Sequence, residues 1–386
     1  MMEASSSGGR EASRSFNPAR LTLARERAGL TKQGLAENCG VTRRAVTSWE
    51  VGEVDSPPAD ILARVLGFPE SFFYADDPVR LREEGVTFRA LSSMQARQVG
   101  RVLAAASLAI EFSTWMDEHY KTPVPDLPDL SESHALEPPI AAESVRTIWG
   151  IHEMPVKDML LLAEKKGVRV FSLPIADREV DALALWREDR PFVFLNTARS
   201  AERMRFDLAH ELGHLVLHRQ VTQRSREIEQ QANDFAASFL MPADAVYMQV
   251  VGDLRFDDIF TLKRYWNVSA VAMLHRLSSL SIISEWHYRT WMIELSKRGY
   301  RTSEPGGSHP ESSRLFRQLF ALARQDGWSV ARIASALSMP KKEIDGMVFG
   351  LALTSALPEA PPATLFDDVP YSPLHDSILR QIPMLK

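Results

Sequence analysis

Residues 200–218, SAERMRFDLAHELGHLVLH, most constrain what this chain can fold into. Met204, Leu208, Leu212, Leu215 and Val216 recur at near-helical spacing, and Phe206, Ala209 and Leu217 widen the apolar face. The pattern predicts a buried helix over 200–218. Within it, His210-Glu211-Leu212-Gly213-His214 sets two imidazoles four positions apart, one above the other on a helix face. Both can reach one ion, and Glu211 stands beside them, where a carboxylate can take a proton from a water on that ion. Imidazole and carboxylate donors suit zinc without excluding other divalent metals. Taken alone, the pair also fits an ordinary helix with two histidines.

A second helix adds a third donor. Residues 225–241, SREIEQQANDFAASFLM, carry an apolar stripe of Ile228, Ala232, Phe235 and Phe239, and Pro242 stops the helix. Glu229 lies at the edge of the stripe on the side of Ala236, and Glu227 lies further round on the opposite edge. Glu229 is therefore the acid better placed to face the first helix. A catalytic zinc takes three protein ligands and keeps one position open. By itself, Glu229 reads equally as a solvated charge at a helix edge.

HELGH, the following LVLH, then EQQANDFAA from Glu229 and Leu240-Met241-Pro242 resemble the ImmA/IrrE family of zinc metallopeptidases. The lead-in RFDLA from Arg205 and the strand-like PFVFLN from Pro191 share the likeness, which runs over residues 140–283. The resemblance implies a zincin-like metallopeptidase domain with His210, His214 and Glu229 as ligands to Zn2+ and Glu211 as general base. It also implies a protein substrate such as a repressor or antitoxin. Gln231 departs from the family, which commonly has an acid there; the ligand set should not be affected. His218, four residues past His214, could orient a ligand or could be a cation at the helix end. His275 occupies a position often held by Tyr, where it could polarise a carbonyl; packing is the simpler reading.

Nearer the N-terminus, 18–75 reads as a compact helical unit. A helix beginning around Leu21 ends at Gly29. Thr31 caps a second over 32–38, Gly40 turns the chain, and Thr42 caps a third over 43–51. Pro57-Pro58 starts a fourth through Leu66. Two short helices joined by a Gly-containing turn are a helix-turn-helix. The stretch 30–52, with Ala36, Gly40, Val46, Trp49, Glu50 and Gly52 in place, resembles the Cro/repressor (XRE) type. That implies a third helix reading the major groove through Arg43, Arg44, Thr47 and Ser48, with Lys32 at a phosphate. A homodimer is compatible with such a unit, which often reads two half-sites.

The net charge of −5 gives no global basic field, so DNA contact must come from a local patch. Residues 17–52 supply one of +3, from six Arg and Lys against Glu26, Glu37 and Glu50. The acidic stretch after it leaves a partner-docking role open. One cysteine, Cys39, allows no internal disulfide and reads as a small packing residue. No signal peptide and no run of 18 apolar residues appear, so a cytoplasmic protein without membrane contact is expected.

The expected fold is mainly α with a small sheet (α+β). A disordered tail, 1–17, precedes an all-α helix-turn-helix domain, 18–78. A connection and long helix, 79–139, lead to the metallopeptidase domain, 140–301. There, 140–166 carries helical spacing, and strands are expected over 168–173, 182–186 and 192–196. Residues 302–386 read as a linker, a small helical unit that is weakly helix-turn-helix-like, and a Pro-rich end. The function expected is a DNA-binding regulator fused to a zinc endopeptidase. The alternative is a regulator or antitoxin whose metal is structural or sensory.

Overall fold

Side-chain caps set the first helices. The computed structural model describes residues 15–81, 94–132, 136–173, 181–219, 225–250, 252–300 and 304–352. Asn17 accepts from the Ala19 N–H at 2.9 Å and opens α1 (Pro18–Arg27). Thr31 and Thr42 do the same for α2 (Lys32–Cys39) and α3 (Arg43–Val51). Gly40 ends α2 at φ 68°, a left-handed conformation that glycine reaches without steric cost. α4 (Ala59–Leu66) and a 3-10 turn (Glu70–Tyr74) close the unit around Leu21, Leu35, Val46, Leu62 and Phe72, all fully buried. Phe16, expected in a disordered tail, is instead buried and stacked on Phe73 at 5.9 Å. Residues 1–14 of that tail lie outside the described residues, as do 82–93 of the connection and the Pro-rich end, 353–386.

α5 (Ala96–His119) follows and packs against α1. Pro138 and Pro139, at the end of the connection expected over 79–139, open α6 (Pro138–Ile148), because proline loses nothing in the first helical turn. The helical spacing of 140–166 is divided between α6 and α7 (Met159–Lys165). Gly150 turns the chain at φ 68°, and the buried Arg146 guanidinium donates to the His152 and Met154 carbonyls at 2.7 and 2.5 Å. The sheet has the order β1-β3-β2, from β1 (Arg169–Ser172), β2 (Ala182–Arg187) and β3 (Arg190–Leu195). β1 runs parallel to β3, with Arg169 opposite Phe192; β2 runs antiparallel, with Ala182 opposite Leu195. α8 (Ala201–Leu217) lies across β2 and β3, and Trp186 Nε1 donates to the Leu215 carbonyl at 3.1 Å. α9 (Arg226–Leu240) packs against α8 and α6. Next come α10 (Ala243–Gln249), α11 (Asp258–Trp266), α12 (Ala270–Ser279) and α13 (Glu285–Lys297).

The linker expected over 302–312 is described from 304, and residues 304–313 form a strap over α7, α8, α11 and α12. Glu304 accepts from the Ala270 N–H at 2.8 Å and faces Lys263 at 3.2 Å. Glu311 accepts from the Met159 and Leu160 N–H groups at 3.0 and 2.8 Å and pairs with buried Arg205. α14 (Arg314–Gln325), α15 (Val330–Ala336) and α16 (Lys341–Val348) follow. The turn after α15 repeats the turn after α2: Met339 N–H donates to Ala334 O at 2.8 Å, as Val41 N–H does to Ala36 O at 2.9 Å. α16 buries Ile344, Met347 and Val348 and packs on α5 and β1. No helix among the described residues is long and apolar enough to cross a membrane.

Candidate metal centre and nucleic-acid interface

The centre is made where α8 and α9 touch. Their approach depends on Gly213: a Cβ at that position would lie 3.0 Å from a ring carbon of Phe235 on α9. The close crossing brings the carboxylate of α9 to the imidazoles of α8. His210 Nε2 and His214 Nε2 are 3.1 Å apart, and the Glu229 carboxylate oxygens lie 3.5 Å from the first and 3.7 Å from the second. Donors on a tetrahedral zinc at about 2.0–2.1 Å are separated by about 3.3 Å. The three separations match that edge length, so this donor set fits a metal of zinc's size. Among the described residues, these three are the group of His, Cys, Asp or Glu that could hold a metal ion.

The far sides of both rings are also engaged. His210 Nδ1 is 3.0 Å from Asn233 Oδ1, and His214 Nδ1 is 3.0 Å from His218 Nδ1. His218 Nε2 is 2.9 Å from Gln231 Oε1. Burial pushes the His218 imidazole below its ordinary pKa, which disfavours a helix-end cation there. Glu211, on the same helix as the histidines, is 4% exposed. One turn earlier, burial pushes Asp207 up to about 6, partly offset by Arg203, whose Nε donates to it at 3.1 Å. His275 stands apart from this group: it is exposed on α12, 3.0 Å from the Tyr288 hydroxyl. Asn233 is the contributor that motif reading missed. Its spacing of four from Glu229 put both on one helix face, and that signal was available.

The N-terminal unit offers a modest cationic face. Arg43 and Arg44 are exposed at the start of α3. The Thr47 hydroxyl donates to the Arg43 carbonyl at 3.0 Å, and the Ser48 hydroxyl to Glu53 at 2.7 Å. Lys32 Nζ is 3.1 Å from Glu50, which Arg25 also holds at 2.5 Å. Cys39 is half-buried at the end of α2, and burial raises its thiol pKa, as suits a packing residue.

Residues 163–278 match the family model of a peptidase domain described as IrrE N-terminal-like. The match runs from α7 to α12 and contains the whole candidate centre. Residues 21–71 match a helix-turn-helix family model. The two matches coincide with the two resemblances carried by the motifs. No curated protein matches the chain.

Proposed function

From a helix-turn-helix joined to a peptidase-family segment, we propose a DNA-binding regulator that carries a zinc-dependent endopeptidase. Its substrate would be a protein such as a repressor or antitoxin, met in the cytoplasm, and two copies of the chain would read paired half-sites. The observation that carries this reading is the convergence of His210, His214 and Glu229 beside a buried Glu211. Bound zinc would supply Lewis acidity to a scissile carbonyl and to a water. Glu211 takes a proton from the attacking water as its oxygen bonds the carbonyl carbon. When the C–N bond breaks, Glu211 returns that proton to the leaving amine. Arg43 and Arg44 would contact guanine edges or phosphate, with Thr47, Ser48 and Lys32 adjusting beside them.

Elemental mass spectrometry of the full chain, with His214→Ala and Glu211→Gln beside it, tests the centre. Zinc is expected in the wild type and in Glu211→Gln, and not in His214→Ala. New protein N-termini in a zinc-supplemented cell lysate then report cleavage. Removing a general base should slow cutting by about 10²–10⁴-fold. A Glu211→Gln chain that cuts at the wild-type rate would end this mechanism.

The burial of the centre favours a second reading. His210, Glu211 and His214 are 5%, 4% and 3% exposed. Imidazole ligands this buried suit a structural or sensory metal that alters DNA affinity without cutting a bond, while Glu229, 20% exposed, keeps one side of the centre nearer to solvent. A gel shift with and without chelator separates the two readings when run beside the cleavage measurement.

A further inference from the structure

His214 can present Nε2 to a metal only when its ring proton sits on Nδ1. That Nδ1 faces His218 Nδ1 at 3.0 Å, so the proton must be donated there and His218 Nδ1 must be bare. A neutral imidazole carries one N–H, so the His218 proton must sit on Nε2. His218 Nε2 lies 2.9 Å from Gln231 Oε1, which accepts it. Each hydrogen bond dictates the direction of the next. An acceptor at position 231 fixes the tautomer of His218, and His218 fixes the tautomer of His214.

We infer that Gln231 and His218 are positioning residues that hold His214 in its metal-binding tautomer. The inference rests on the metal-centre reading above. The same helix, α9, thus carries the ligand Glu229 and both groups that orient the imidazoles of α8: Asn233 acts on His210 directly, and Gln231 acts on His214 through His218. The longer relay has a weakness that the shorter distances conceal. A glutamine has two faces. Turned over, its NH2 would donate to His218 Nε2, the His218 proton would move to Nδ1, and His214 would be left as the Nε2–H tautomer, which cannot bind. A carboxylate at 231 only accepts and allows one direction. Gln231→Glu should therefore strengthen the relay, while Gln231→Leu keeps the bulk and removes the acceptor.

Two readouts on the full-length protein decide this. The first is zinc affinity, by competition with a chromophoric chelator. Disturbing the partner of a metal-binding histidine costs about 10–100-fold in affinity. His218→Phe should lose that much, Gln231→Leu should fall below wild type, and Gln231→Glu should equal or exceed it. The second is the His218 tautomer in metal-free, 15N-histidine-labelled protein, read from imidazole 1H–15N correlations. The wild type should show Nε2–H. The relay is overturned by an Nδ1–H tautomer at His218, by His218→Phe binding zinc as tightly as wild type, or by Gln231→Leu and Gln231→Glu binding alike. A wild type that takes up no zinc would refute the metal-centre reading alone, and the tautomer would still decide the relay.

Discussion

Gly213 governs how near α9 can come to the two histidines. Alanine there would gain about 1 kcal/mol in helix propensity. Its Cβ would sit 3.0 Å from Phe235 Cδ1 and 3.2 Å from Phe235 Cβ and Cγ. Phe235 is fully buried and stacked on Phe239 at 5.7 Å, so it has nowhere to swing. Overpacking of this kind costs about 1–3 kcal/mol, which exceeds the propensity gain. Gly213→Ala is expected to lower the melting temperature and weaken zinc uptake together, since α9 carries Glu229. A thermal melt of the metal-free variant checks the first; a raised melting temperature would mean that the helices are not in tight contact. At this scale the motif was legible and its reason was not. That His210 and His214 share a helix face is readable from period, and Glu229 joins them in the sequence only through the family resemblance, whereas the need for glycine at 213 appears only once Phe235 is opposite it.

Helices whose ends are set by local chemistry could be read directly. Thr31, Gly40 and Thr42 bounded α2 and α3 where the structure has them, because caps act within a few residues. The strap at 304–313 could not, because its anchors are far away in sequence. Glu164, at the end of α7, accepts from the Arg314 and Leu315 N–H groups at 3.0 and 3.1 Å and from the Ser313 hydroxyl. It therefore caps α14 from about 150 residues away. Burial pushes the Glu164 carboxyl from 4.5 up to about 7, against the lowering effect of those three donors. Between these values the folded chain keeps a proton that the unfolded chain has released. Glu164's contribution to stability is then complete below about pH 4.5, declines as pH rises towards about 7, and is level above that. Glu164→Gln, which cannot ionise, should flatten this part of the stability–pH curve, measured by urea unfolding across that range. An unchanged slope in the variant would show that Glu164 is ionised throughout.

Composition divided the chain at 79–139 and 302–312, yet the described residues on either side share packing. Phe112 of α5 stacks against Phe316 and Phe320 of α14 at 6.3 and 6.4 Å and meets Phe171 of β1 at 6.2 Å. Arg20 of α1 pairs with Glu111 of α5 at 2.7 Å, and Arg27 pairs with Glu343 of α16 at 2.8 Å; both pairs are largely buried. These links join the helix-turn-helix, the sheet and the C-terminal helices through a common core. Local sequence shows none of this, because every partner is distant along the chain. Calorimetry of the full chain is therefore expected to give one unfolding transition. Phe316→Ala should lower it as a whole by about 3–5 kcal/mol of stability, without splitting off the N-terminal unit. Zinc at a hundred times its dissociation constant adds about 2.7 kcal/mol to any fold that must form in order to bind it. In a single cooperative molecule that gain also raises the melting of the helix-turn-helix, which touches no metal. Two separate transitions, with zinc moving only one, would show instead that the DNA-binding unit is independent of the metal centre.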